Sequence, residues 1–438
     1  MTGGSHQWRG SIHQHGLSAL CCSTLTVMHL LSLPPELRLH ILHLYLEDHT
    51  SVSETWKPSN RHLDLFRICK QLAYEAELAG FKEYVSLSHE DQIVGFNVNV
   101  SRSYASRITT ADVGNDGRMV VAKSFVMQSV PASRLWMALE KMSSLKSLRV
   151  FDCYRARPAD DFGARFYSCC IPVFLMTSTT VAGAIFFMRF EGSLFPATTR
   201  PPDSLRSYEL YTSSPSESII FDKIPTHNIH NLRLSGNCRL KSSTDLTDLR
   251  HLTICGVTGN YLEQHFEKHF LNCIRLQSFQ FARGNVLGLQ LKDSFLTSVL
   301  SNCSFSLTRL VLLDCTQISS TTLWSCLSKL SYLEYLAVAF TTRRELQSNF
   351  IEALSDTVMT LKIKIIEGKY SHVFQTEEAG ICDEIEASFL LREPKPAALH
   401  VWFRPEVLDL RRRERWGSIA ALRRVALHYG DWDHSEIM

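Results

Sequence analysis

His265 and His269 stand four residues apart, the spacing that brings two imidazoles onto one face of a helix, and His227 and His230 stand three apart. Either pair could share a metal ion, but neither comes with a glutamate in HExxH register to act as a general base. Both pairs read as solvated or core histidines. The adjacent thiols of Cys169 and Cys170 could hold a nucleophile, with one of the chain's histidines as its base. Their neighbours Ile171, Val173 and Phe174 are apolar, however, and a thiol in apolar surroundings has a raised pKa and is inert. The sequence contains no GxGxxG or GxxxxGK(S/T) phosphate loop and no GxSxG elbow. The expectation is a protein that is not an enzyme, with no catalytic residues, no metal and no cofactor.

Arg411, Arg412, Arg413, Arg415, Arg423 and Arg424 form the one basic cluster, interleaved with Asp409, Glu414 and Trp416. It reads as a helix face laced with ion pairs, the alternatives being a nuclear-localisation signal or a site for an acidic partner. Across the whole chain Lys+Arg 46 against Asp+Glu 44 leaves a net charge of +2, so no global field draws nucleic acid or anionic membrane. A composition of 45% hydrophobic and 21% charged residues belongs to a folded chain, and 438 residues exceed what one core usually serves. The 13 cysteines are odd in number and include no CxxC pair, so they read as reduced, mostly buried thiols. That places the protein in the cytoplasm or nucleus.

Near the amino terminus, LSLPPELRLHILHLYL (residues 31–46) begins a helix at Pro35, because proline in the first turn gives up an N–H that has no helical partner. Leu37, Ile41 and Leu44 make one apolar stripe and Leu39, Leu42 and Leu46 an adjoining one, so the helix needs two partners. A second helix is expected over residues 62–81, with Leu65, Ile68, Cys69, Leu72, Ala73 and Ala76 at helical spacing and Gly80 as its stop. The polar stretch 47–61, with Pro58, reads as the connection.

LPPELRLHI (residues 33–41) followed by LFRICKQLAYEA (residues 65–76) resembles the F-box, in the version common in filamentous fungi. The resemblance covers about the first fifth of the chain. It implies a small helical unit that docks on a Skp-type linker subunit of a cullin ubiquitin ligase, with a downstream domain holding a substrate protein. The matching positions, Leu33, Pro34, Leu37, Ile41, Leu44, Leu65, Ile68 and Cys69, would form the unit or its docking face. Two departures are visible: a long connection between the helices, and Gln71 or Leu72 where many members carry tryptophan after the cysteine position. The competing reading is a helical hairpin that caps the domain behind it.

Downstream, an LxxLxL pattern recurs: Leu145-Leu148-Val150, Ile229-Leu232-Leu234, Leu249-Leu252-Ile254, Leu276-Phe279-Phe281, Leu307-Leu310-Leu312, Leu333-Leu336-Val338, Val358-Leu361-Ile363 and Leu422-Val425-Leu427. The best copy, LTRLVLLDCTQI (residues 307–318), resembles a leucine-rich repeat with Cys315 in its Asn/Cys slot. Stretches at helical spacing lie between copies: Leu262, Phe266 and Phe270; Phe295 and Val299; Leu323 and Leu327; Leu346, Phe350 and Leu354. Strand and helix then alternate once per repeat, and stacking builds one core while leaving a sheet surface free to bind. Leu205, Tyr208 and Leu210 read as a degenerate copy.

Two segments bear on membranes. Residues 17–33 loosely resemble a signal peptide but are diluted by Ser, Thr and His. Residues 169–188 are uncharged and long enough to span a bilayer, although Pro172 and Gly183 suit two strands better, the second over 184–188. The expected fold class is α/β: a short F-box-like helical unit followed by an irregular leucine-rich-repeat solenoid. Residues 1–30 read as a flexible terminus, 31–83 as the helical domain, 84–144 as a junction with β-strands (Val94, Phe96, Val98 and Val100 alternating in one of them) and a helix, and 145–438 as the repeat domain. The expected partners are a Skp-type linker and an unknown substrate protein, with no nucleic acid and a membrane disfavoured; the alternatives are a repeat scaffold without a ligase and, behind it, a repeat protein anchored in a membrane through residues 169–188.

Overall fold

The computed structural model describes residues 30–52, 59–115, 118–122, 128–131, 133–152, 185–187, 194–195, 201–212, 218–222, 224–241, 244–283, 288–342, 346–367, 372–432 and 436. The chain divides into two compact units, Met1–Ser51 with Asn60–Lys82 and Val52–Ser59 with Glu83–Met438.

In the first unit, helix α1 (Pro35–Thr50) starts with proline in its first turn, as its sequence requires. A 3-10 helix (Arg61–Arg67) and helix α2 (Lys70–Leu78) follow, so the second expected helix is broken in two at Ile68 and Cys69. The break has a local cause. Cys69 is fully extended, and its Sγ caps α2 by accepting the Leu72 N–H at 3.5 Å. Gly80 ends the helical stretch with φ 83°, a conformation that glycine adopts without strain. The core joins Leu42, Ala76, Ala79 and Phe81, flanked by Leu39, Leu46, Leu65 and Phe66.

The second unit is an α/β solenoid of leucine-rich-repeat type. Its strands are β1 (Tyr84–Leu87), β2 (Thr110–Asn115), β3 (Arg118–Ala122), β4 (Gln128–Pro131), β5 (Ser147–Asp152), β6 (Ile185–Phe187), β7 (Ser207–Tyr211), β8 (Ser218–Ile220), β9 (Asn231–Leu240), β10 (His251–Thr258), β11 (Ser278–Ala282), β12 (Arg309–Cys315), β13 (Tyr335–Thr342), β14 (Thr360–Glu367), β15 (Ala398–Trp402) and β16 (Ala426–Tyr429). All but three build a 13-stranded sheet in the order β1-β2-β5-β7-β9-β10-β11-β12-β13-β14-β15-β16, with β8 beside β9. Every pairing in it is parallel. The remaining strands pair antiparallel as β4-β3-β6.

Parallel neighbours need a crossover, and among the described residues these include α3 (Glu90–Asn99), α4 (Leu135–Lys141), α5 (Tyr261–Phe270), α6 (Asp293–Asn302), α7 (Ser320–Leu327), α8 (His372–Glu384) and α9 (Leu410–Arg423). The expected LxxLxL residues of β5 and β9 to β14 are buried in one continuous core with Leu262, Phe266, Phe270, Val299, Leu323 and Leu327 from the helices. Each such side chain contributes about 1.5–3 kcal/mol by leaving water. Leu205, Tyr208 and Leu210 are a true copy, on β7.

A backbone device repeats with the strands. One carbonyl just ahead of β2, β5, β7 and each of β9 to β14 accepts two successive N–H groups from the next repeat. Lys146 O receives Arg206 and Ser207, Arg206 O receives His230 and Asn231, and the pattern continues through Gln277, Thr308 and Glu334 to Met359, whose carbonyl receives Ala397 and Ala398. Hydroxyl groups reinforce it: Ser306 Oγ donates to Leu276 O at 2.8 Å and Thr357 Oγ1 to Leu333 O at 2.7 Å.

Four sequence expectations need correction. The alternation Val94, Phe96, Val98, Val100 belongs to helix α3, not to a strand. Gln92 Oε1 accepts the Ser88 N–H at 2.9 Å and so starts the helix, Ile93 and Phe96 turn inward, and Val98 is 75% exposed. Second, the sheet begins at Tyr84 rather than near Leu145, because Ile108-Ala111-Val113 is a further buried copy. Third, the terminal copy is out of register: Leu427 pairs with Leu399, while Leu422 is 86% exposed on α9. The helix runs on until Arg424, in the left-handed conformation with φ 57°, ends it. Fourth, the segment around Leu346, Phe350 and Leu354 forms only a 3-10 turn, Phe350–Ala353.

The signal-like stretch lies outside the described residues except for its last few positions. So does the 169–188 segment except for β6, which pairs with β3 where the second of its two strands was expected. No helix among the described residues is long and apolar enough to cross a membrane.

Candidate protein-docking surfaces

The two stripes of α1 have different fates. Leu39, Leu42 and Leu46 are spent on the unit's own core. Leu37, Ile41 and Leu44 remain 51%, 40% and 51% exposed, and Tyr45, Ile68, Tyr74 and Leu78 of the same unit are exposed too. Pro34 is exposed, and Leu33 is half-buried. Leu65 and Cys69 are half-buried as well, the first against the core and the second as the cap of α2. Of the eight residues singled out in the sequence, then, Pro34, Leu37, Ile41, Leu44 and Ile68 offer apolar surface and the other three hold the unit together.

Sequence reading missed what fixes the two helices. Arg38 and Glu75 are both buried, with Arg38 Nε at 3.1 and 2.9 Å from the two carboxylate oxygens and a terminal guanidinium nitrogen at 2.6 Å from Oε1. The same guanidinium donates to the carbonyls of Leu31, at 3.3 Å, and Leu33, so one side chain ties both helices to the entering chain. Its hydrogen bonds hold the Glu75 carboxyl below its ordinary value. Charged residues inside an otherwise apolar stretch were the available signal, but their separation in sequence concealed the pairing.

In the second unit the helices cover one face of the sheet. On the opposite, open face Ala282, Val311, Leu313, Ala337 and Ala339 form a small apolar floor, covered by Trp432. Beside it stand Arg309, with its guanidinium 3.8 Å from the Tyr335 ring centre, and Lys364, 4.4 Å from that of Trp402. Burial and a hydrogen bond to Glu436 push the Tyr335 hydroxyl up. Burial works to lower Lys362, but its bonds to Glu436 and Tyr335 leave its ammonium above the ordinary value.

Three arginines of the basic cluster are ion-paired, to the preceding repeat rather than to Asp409 and Glu414 of their own helix. Arg412 meets Asp383, Arg415 meets Glu386 and Arg423 meets Glu393, each at 2.8 Å. Asp409 instead caps α9, accepting the Arg412 N–H at 2.8 Å.

The histidines have other employment. His265 Nδ1 lies 3.0 Å from Tyr261 O, and His269 Nε2 lies 3.0 Å from the Tyr261 hydroxyl. Among the described residues no group of three or more His, Cys, Asp or Glu side chains could hold a metal ion. Cys169 and Cys170 lie outside the described residues. Cys238, Cys273, Cys303 and Cys382 are buried free thiols, and burial pushes each up to about 12.

Burial, with Lys268 and His265 adding to it, lowers His269 to about 4. Because an unfolded imidazole titrates near ~6.5, the neutral ring's contribution is complete above that pH and is lost as pH falls toward 4. The melting temperature should therefore fall between pH 7 and 4.5 more steeply for the wild type than for His269→Gln. Parallel profiles by differential scanning fluorimetry would remove His269 as the cause.

No family model matches the chain, and neither does any curated protein. Among solved structures it is similar to the leucine-rich repeat-containing protein LegL7 from Legionella pneumophila, at 10% identity and a TM-score of 0.33 over 81% of this chain and 92% of that one. It is also similar to a chain of the Rad7 and Elc1 complex in yeast, at 13% identity and a TM-score of 0.27 over 82% of this chain and 97% of that one.

Proposed function

We propose that the chain is a non-enzymatic substrate-recognition adaptor of an SCF-type cullin ubiquitin ligase, working in the cytoplasm or nucleus. The first unit docks a Skp-type linker through Leu37, Ile41 and Leu44 of α1 with Ile68 beside α2, and Leu33, Pro34, Leu65 and Cys69 shape that unit. The open face of the repeat sheet holds a substrate protein. The adaptor supplies proximity, and the chemistry belongs to the ligase it recruits.

The observation that carries this reading is the division of labour on α1. One stripe is consumed by the unit's own core, while the other stays exposed together with further large apolar side chains of the same unit. Contiguous exposed apolar surface of this kind marks a partner site. A hairpin serving only as a cap would spend both stripes internally.

The test is co-purification of the full chain with a Skp-type linker. Leu37→Asp with Ile41→Asp should reduce capture at least about tenfold, roughly 1.4 kcal/mol of binding free energy. Stability should change little, since each position is exposed and surface substitutions stay within about 0.5 kcal/mol. Capture that survives in the folded variant, or fails in the wild type, would sink linker docking at this stripe.

A further inference from the structure

Part of the open face, across β11 to β14, is already occupied by the segment that follows β16. Trp432 is 4% exposed and seated on Ala282, Val311, Leu313, Ala337 and Ala339. Four residues on, the Glu436 carboxylate is received by Arg309 at 3.0 Å, by the Tyr335 hydroxyl at 2.6 Å and by Lys362. On the other side of the indole, Asp431 meets Lys364 at 2.7 Å.

The receiving groups come from successive strands. Arg309 on β12 is paired with Tyr335 on β13, and Lys362 on β14 with Ala337 on β13. Small side chains at Ala337 and Ala339 leave the depth an indole needs, while the cations beside them are spaced to take a carboxylate before it and another after it. A buried aromatic anchor with charge-assisted bonds around it is the arrangement of a peptide site.

We propose that this slot binds acidic peptide segments with a tryptophan flanked by a carboxylate immediately before it and another four residues after it, and that the chain's own tail is its resident occupant. The inference deepens the substrate-binding half of the reading above and does not depend on linker docking. A tethered occupant competes at an effective concentration on the order of millimolar, so a partner must displace it and meets a slot that looks weaker than it is.

The probe is a fluorescein-labelled synthetic peptide with the sequence of residues 430–438, read by anisotropy against the full chain. The wild type should bind it weakly. The full-length Trp432→Ala, Glu436→Gln chain, whose tail no longer fills the slot, should bind at least tenfold tighter. Adding Arg309→Glu and Lys362→Glu should reverse that gain, and a peptide with alanine at its tryptophan should not bind.

Should the double tail variant melt lower than the wild type, Glu436→Gln alone keeps the indole seated and should still gain affinity severalfold. Equal binding by the wild type and the folded tail variants overturns the proposal, as does binding that ignores the charge reversals. Placing Leu37→Asp and Ile41→Asp on the tail variant separates the two readings. Peptide binding kept without linker capture by any form removes the ligase and leaves the slot, and linker capture without peptide binding does the opposite.

Discussion

Alanine at Trp416 should cost the sheet-bearing unit about 3–5 kcal/mol, the range for truncating a large buried aromatic. The side chain is fully buried in the main core with Ala420 of the same helix, so its removal opens a cavity that the packed helix can close only in part. Its Nε1 also donates to Glu386 Oε2 at 2.8 Å. Arg415 contacts the same carboxylate at 2.8 Å, so Glu386 keeps a partner in the variant and most of the loss is packing. Trp416→Phe, which retains an aromatic ring and loses the hydrogen bond, should cost less. In a stack where each repeat leans on its neighbours, the damage should be local. Hydrogen exchange should quicken in β15 and β16 and stay unchanged in β10 to β12; acceleration spread evenly over all strands would contradict this.

Arg149→Ala should cost a further 3–5 kcal/mol, roughly, at the other end of the sheet, for an electrostatic reason. Arg149 on β5 lies directly across from Asp112 on β2 and contacts both its carboxylate oxygens, at 2.6 and 2.7 Å. The Tyr84 hydroxyl of β1 completes the group at 2.5 Å from Asp112 Oδ2. Asp112 is fully buried, so losing the guanidinium strands a carboxylate where water cannot reach it. Replacing both partners, Asp112→Leu with Arg149→Met, should recover most of the loss, because neither charge then needs a partner. Tyr84→Phe removes one hydrogen bond and should cost about 1 kcal/mol. Chemical denaturation of the three variants beside the wild type reads these costs, and an Arg149→Ala protein within about 1 kcal/mol of wild type would mean that the pair is hydrated.

The repeat sheet was legible because a parallel strand must place apolar side chains inward at fixed spacing, and β5 and β9 to β14 do so with Leu, Ile, Val and Phe. It failed where that chemistry is muted. Ala111 occupies a leucine slot on β2, Pro396 occupies the first slot ahead of β15, and β16, last in the sheet, has a largely exposed set of side chains. The exposed stripe of α1 was readable from periodicity alone. The Arg38–Glu75 tie and the open-face slot were not: each joins residues far apart in sequence, and only the register of neighbouring strands sets Arg309, Tyr335 and Lys362 side by side.

The twice-used carbonyl that recurs ahead of β2, β5, β7 and β9 to β14 asks very little of the residues that supply it, since main-chain atoms alone make the bonds. What lies between one such carbonyl and the next is therefore free to differ in length and composition. Copying or excising one complete stretch, from carbonyl to carbonyl, returns every donor to an equivalent acceptor, whereas a cut that takes away the carbonyl and leaves its two donors strands both amides. Repeat number is thus the variable to which this backbone scheme is least sensitive, because a stretch gained or lost whole meets the same donors and acceptors as the one it replaces.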